Sequence, residues 1–164
     1  MHMLSVEVKY KGELFEIELD GLTCNTLEDV LQEVADEYNM EHSEDENFEP
    51  IKKIKPEEAE VSFEDIPEFL HNWEEIEKNL YIIEESGWDI DVFEAAHDLG
   101  IDLKDVEDKY IGSYSDDEEF AEEYTNEVGE MGDIPSWVVI DWSQTARNLM
   151  YDISGSNGHY FRDY

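Results

Sequence analysis

An α+β fold in three small units is what the sequence predicts, and three observations predict it. Apolar and polar residues alternate near both ends of the chain. The middle repeats its apolar residues every three or four positions. The period changes near residues 64 and 110. The expected units are a hairpin-and-helix α+β unit over 1–63, a helical unit over 64–109 and a C-terminal α+β unit with an acidic helix over 110–164.

Leu4, Val6, Val8 and Tyr10 alternate with polar neighbours, Lys11-Gly12 supplies a turn, and Phe15, Ile17 and Leu19 alternate again. That pattern is a β-hairpin with one buried face. Leu27, Val30, Leu31, Val34 and Tyr38 form one stripe of a helix over about 26–38, followed by an acidic loop from Glu41 to Glu49. Ile51–Lys55 and Val61–Phe63 each have the length and composition of a short strand. Asp65-Ile66-Pro67-Glu68 reads as a helix start, with Ile66, Phe69, Leu70, Trp73, Ile76, Leu80 and Ile83 following to Gly87. Further helices are expected over Ile90–Leu99 and about Leu103–Tyr110. Tyr110–Tyr114 is a short strand or an extended link. Ser115 is expected to cap the acidic helix in a box with Glu118, and Asp141 to cap a helix reaching Tyr151. Residues 154–158 read as a turn and His159–Arg162 as a last strand.

Charge is the outlying property. The chain of 164 residues has 46 Asp and Glu against ten Lys and Arg, a formal net of −36. Residues 1–60, 61–110 and 111–164 carry −13, −13 and −10, so the excess belongs to the whole folded body. With 40% hydrophobic residues the chain has ample core, unlike a disordered acidic tail. A field of this sign excludes direct binding to nucleic acid or an anionic membrane and calls for a strongly basic partner. Cys24, the single cysteine, leaves no disulfide framework and is expected to be a small buried hydrophobe. The opening residues lack a secretory pattern and no stretch has the length of a membrane span, so the expected compartment is the cytoplasm.

Catalytic patterns are missing. His2, His42, His71, His97 and His159 form no HExxH or HxH pair, so neither zinc nor any cofactor is expected. A calcium loop counted from Asp89 places Phe93 fifth, Glu94 sixth and Gly100 twelfth, which fails the ligand pattern. No Ser stands in a nucleophile elbow, and no Gly-rich loop with Lys follows a strand. Trp73, Trp88, Trp137 and Trp142 are expected mostly in the core, Arg147 and Arg162 tied to carboxylates, and Lys52, Lys53 and Lys55 neutralising a local strand. The expectation is a protein that is not an enzyme.

The segment 115–127 carries seven acids: Asp116, Asp117, Glu118, Glu119, Glu122, Glu123 and Glu127. Glu118/Glu122, Glu119/Glu123 and Glu123/Glu127 are like charges one turn apart, each costing about 0.2–0.5 kcal/mol. A helix shaped by stability alone would place Lys at some of these positions. B-DNA carries one charge per about 1.7 Å of axis, so 36 net charges match roughly 60 Å of duplex. These features point to DNA mimicry, with carboxylates standing where phosphates would. Glu74, Glu75, Glu84 and Glu85 are expected to extend the acidic track.

The stretch YIGSYSDDEEFAEE (110–123), then Ile134-Pro135, IDWSQTARNL (140–149) and GHYFR (158–162), resembles the ArdA antirestriction proteins. Residues 66–110 are similar to that family more loosely, and residues 1–60 lack its opening. The resemblance implies an elongated, dimeric, three-part DNA mimic that occupies the DNA site of type I restriction–modification enzymes. Trp137, Val138 and Val139, an apolar run before a helix, are the expected dimer seam. The competing readings are a mimic aimed at a CRISPR effector, nucleoid protein or repressor, and an acidic protein of a salt-loving organism whose carboxylates serve solvation. A calcium-type ion module is a further class, which calorimetry separates from both.

Overall fold

The computed structural model describes residues 4–129 and 132–164 and has mixed α and β structure. The chain forms two compact units, Met1–Ile90 and Asp91–Tyr164. The helical stretch expected over 64–109 is shared between them.

In the first unit, β1 (Leu4–Tyr10) and β2 (Glu13–Leu19) pair antiparallel from Leu4 opposite Leu19 to Tyr10 opposite Glu13. Lys11 and Gly12, at φ 49° and 80°, make the tight left-handed turn that matches strand twist. The even-numbered apolar residues of β1 are all buried, as alternation requires. Helix α1 (Leu27–His42) starts in a capping box: Thr26 Oγ1 accepts from Asp29 N, while Asp29 Oδ2 accepts from Thr26 N. It buries Val30, Leu31, Val34 and Ala35 and runs four residues beyond Tyr38.

Strand β3 (Ala59–Ser62) joins the other edge of β1, giving the order β2-β1-β3. Residues 51–55 form no strand. Asn39 supplies what a neighbouring strand would, donating from Nδ2 to Ile51 O (2.8 Å) and accepting from Ile51 N (2.7 Å). The expected helix start at Asp65 is also corrected. Ile66, preceding Pro67, is biased away from helical dihedrals, His71 bonds back to the Ile66 carbonyl, and only a 3₁₀ turn forms over Glu68–Leu70. Asn72 then caps α2 (Trp73–Ser86), and Gly87 closes it in the left-handed conformation at φ 73°.

In the second unit, α3 (Ile90–Asp98) buries Val92, Phe93, Ala95 and Ala96. A short α4 (Val106–Lys109) leads into β4 (Tyr110–Ser113). Helices α5 (Asp117–Val128) and α6 (Trp142–Leu149) follow, then β5 (Ile153–Ser156) and β6 (His159–Arg162). The central β6 pairs antiparallel with both β4 and β5. The turn expected over five residues needs only Asn157 and Gly158, at φ 50° and 80°, so Ser154–Ser156 belong to the strand. Phe120, Ile153 and Tyr160 make the core beneath α5, with Ile111, Tyr114, Tyr124, Leu149 and Met150 around them. Among the described residues no helix is long and apolar enough to cross a membrane.

Candidate partner-binding face

Helix α5 begins one residue later than its sequence indicates. Asp116, not Ser115, is the cap, its Oδ1 accepting from Glu119 N at 2.8 Å. Ser115 becomes a donor, giving its N–H (2.6 Å) and Oγ–H (2.7 Å) to Glu119 Oε2. Those two bonds hold the Glu119 carboxyl below the ordinary Glu range. Asp117 Oδ1 accepts from the Tyr160 hydroxyl at 2.6 Å. Burial first, and the Asp117 carboxylate second, raise the Tyr160 hydroxyl far above the ordinary phenol range, so it stays a donor.

Underneath, the Phe120 and Tyr160 rings stack with centroids 4.3 Å apart and planes within 6°. Tyr114 meets Phe120 edge-on at 5.1 Å. These contacts fix the rotation of α5. At about 100° per residue, Phe120, Ala121 and Tyr124 define the inward side, Glu118, Glu119, Glu122 and Glu123 spread over the opposite half, and Glu127, seven residues after Phe120, returns toward the inward side at the open end of the helix. All five are exposed. Glu118, Glu122, Glu123 and Glu127 have no hydrogen bond or ion pair with any described residue. Burial, followed by the fields of Glu127, Glu123 and Glu119, raises the Tyr114 hydroxyl as well. Seven carboxylates from Asp116 to Glu127 lie along about 18 Å of helix. Their density, about one per 2.6 Å, lies between those of one DNA strand and a duplex.

Beside the start of α5 opens a groove of about 950 Å³, lined by Ser115, Asp116, Asp117 and Glu118 and faced by Arg147 and Asn157. Arg147 points its Nη1 at Gln144 Oε1 (3.5 Å), and Arg162 donates to the Asp108 carbonyl (3.3 Å). The expected arginine–carboxylate ties are thus replaced by neutral oxygens. No family model, no curated protein and no solved structure matches this chain. The resemblance of residues 110–164 therefore rests on its own motifs.

The remaining expected contact residues lie in the first unit, on α2. Glu74 and Glu85 are exposed on its outer side. Glu75 and Glu84 are half-buried on opposite flanks, so the four do not form a single row. Glu75 Oε2 accepts from Asn79 and Glu85 Oε1 from Tyr81. Trp137, Val138 and Val139 are 81%, 46% and 90% exposed in the loop between α5 and α6. Trp73, Trp88 and Trp142 are half-buried, so the expectation that most tryptophans are core is corrected: none is fully buried. Cys24 is buried, and its thiol is pushed up to about 12 by burial and then by Glu33, Asp29 and Asp20.

Sequence reading passed over a second acidic cluster and its histidine. Glu13 at the start of β2, Glu41 and His42 at the end of α1, and Asp45 just beyond meet although 28 residues separate the first two. Lys52 and Lys53, assigned to a strand that does not form, instead line a pocket with Leu27, Leu31 and Ile54.

Proposed function

We propose that this protein is a DNA mimic of the antirestriction type, acting in the host cytoplasm on the DNA-binding site of a type I restriction–modification enzyme. The acidic helix α5 carries the reading. Its seven acids from Asp116 to Glu127 lie at a charge density close to that of DNA, four of them (Glu118, Glu122, Glu123 and Glu127) have no partner within the described fold, and the rotation of the helix is locked by aromatic packing. A basic groove shaped for phosphates meets in them fixed anions on a backbone that it cannot cleave or methylate. Association releases counterions from both surfaces, so binding weakens steeply with salt.

On this reading Asp116, Asp117 and Glu119 set the helix in place, and Glu118, Glu122, Glu123 and Glu127 meet the partner. Glu74 and Glu85 add a second exposed pair. The same proposal gives the chain a homodimeric state, with the exposed Trp137, Val138 and Val139 as its seam.

The test is displacement. Labelled DNA bound to a type I methyltransferase–specificity complex should be released by stoichiometric protein at low salt, with the effect fading as salt rises. DNA retained at low salt with an excess of protein would sink the proposal. Release from an unrelated nucleoid protein but not from the restriction complex would keep mimicry and move the target.

A further inference from the structure

We infer that Glu13, Glu41 and His42 form a site for one divalent cation of the zinc class. One ligand atom from each lies within 4.8 Å of the others. In a tetrahedral zinc site the ligand atoms stand about 3.3 Å apart. A shift of about 1.5 Å or less in the side-chain ends, of which that of Glu41 is exposed, therefore closes the shell. The inference is independent of the partner-binding reading, because it concerns another element and another chemistry.

The histidine is already oriented. Asp45 Oδ2 sits 2.5 Å from His42 Nδ1, and Glu13 Oε1 sits 2.8 Å from Nε2. A neutral imidazole has one N–H for these two acceptors, so the other contact needs a proton or a metal ion between ring and carboxylate. Asp45 on Nδ1 selects the tautomer that aims the Nε2 lone pair at Glu13 and Glu41. A carboxylate on the far nitrogen is the usual support of a metal-bound histidine. The Tyr38 ring, 4.3 Å from the imidazole, fixes its plane.

A second observation comes from Glu13. Its Oε2 atom is shut off from solvent and has no hydrogen-bond partner among the described residues, on a side chain that is 39% exposed overall. A carboxylate oxygen with neither water nor a donor is costly, and a cation beside it answers that cost. One imidazole and two carboxylates, with a water in fourth place, suit zinc. Calcium and magnesium call for six or more oxygens. The ion would join the end of α1 to the start of β2.

The experiment titrates Zn²⁺ into the full chain with excess Mg²⁺ present to fill the diffuse acidic surface. One equivalent should bind, raise Tm by several degrees, and move the His42 Nε2 resonance while Nδ1 keeps its proton. Glu41→Gln removes a ligand that is exposed and makes no hydrogen bond in the described fold, so it leaves the fold intact. It should weaken binding at least tenfold. Asp45→Asn should weaken it tenfold to a hundredfold at unchanged stoichiometry. Absence of a one-equivalent event over the Mg²⁺ background overturns the site, as does equal binding by the parent and Glu41→Gln, which would mean adventitious surface binding only.

Discussion

Helices α1 and α5 are both rich in carboxylates, and both carry like charges at four-residue steps. In α1 the ladder is Glu33, Glu37 and Glu41, and in α5 it is Glu119, Glu123 and Glu127 with Glu118/Glu122 alongside. The difference lies in what the carboxylates meet. Asp29 closes the cap of α1, Asp36 accepts from Gln32, and Glu41 lies beside His42 and Glu13. In α5 the acids with internal partners are confined to the first turn and its cap, and nothing described answers those beyond it. Charge density therefore does not by itself mark an interface. Nor does the lack of a partner alone, since Glu28, Glu33 and Glu37 of α1 also have no hydrogen bond or ion pair with a described residue. What sets α5 apart is that every acid beyond its first turn is of this kind.

The largest way to break this comparison is to release α5 from its base. Phe120 is fully buried against Tyr160, and Phe120→Ala should cost about 3–5 kcal/mol. The denaturant midpoint should fall accordingly, and DNA displacement should disappear even though every acid is retained. A variant that loses this stability yet still displaces DNA would show that a fixed helix is not required.

Next comes the acidic side itself. Converting Glu118, Glu122, Glu123 and Glu127 together to Gln relieves all three like-charge pairs and should stabilise the protein by about 0.5–1.5 kcal/mol. Four exposed ionic contacts at about 0.2–1 kcal/mol each put the loss of partner affinity between roughly fourfold and a thousandfold. Stability and function should move in opposite directions, measured by thermal melts and by DNA displacement. Unchanged displacement would remove α5 from the interface.

A smaller effect is expected where an acid has only internal work. Asp20 accepts from the N–H groups of Leu22, Thr23 and Cys24 and from the Thr23 hydroxyl, with the Thr23 hydroxyl contributing most to a strongly lowered carboxyl pKa. Asp20→Ala should cost about 1–2 kcal/mol at neutral pH, as losses of such caps do. A carboxyl with a depressed folded pKa stabilises above its unfolded value, about 3.9, and that contribution is lost as pH falls toward the folded value. The gap between parent and variant melts should therefore narrow below about pH 4, while displacement of DNA at neutral pH is unaffected.

Much of this was legible in the sequence, for local reasons. The hairpin, α1 and α5 announce themselves through alternation, a four-residue apolar step and capping residues, all of which act within a few positions. What stayed hidden depends on distant partners. Asn39 replaces a strand at Ile51, His71 bonds back to Ile66 and helps keep 65–72 out of a helix, and Glu13 reaches His42 only after β2 and α1 are formed. The site was readable as a helix and a charge, since 100° steps separate Phe120 from Glu122. The exchange of roles at its start was not, because Ser115 and Asp116 are both good caps and only their competition for Glu119 decides between them. On α2, the same helical step spreads Glu74, Glu75, Glu84 and Glu85 over three sides, which a list of acids conceals.

The finest test sets the α1 ladder against that of α5. Glu37 is half-buried, and its carboxyl is raised by burial first and then by Glu33 and Glu41. Glu37→Gln removes two like-charge pairs and should stabilise the chain by about 0.4–1 kcal/mol near neutral pH. A carboxyl with a raised folded pKa disfavours the ionised native state, so the parent recovers stability as pH falls through that value. The advantage of the variant should shrink over the same range. Its displacement of DNA should match the parent's. If Glu37→Gln weakened displacement as much per charge as the α5 substitutions, the partner would be reading net charge, and the position of the carboxylates on α5 would carry no information.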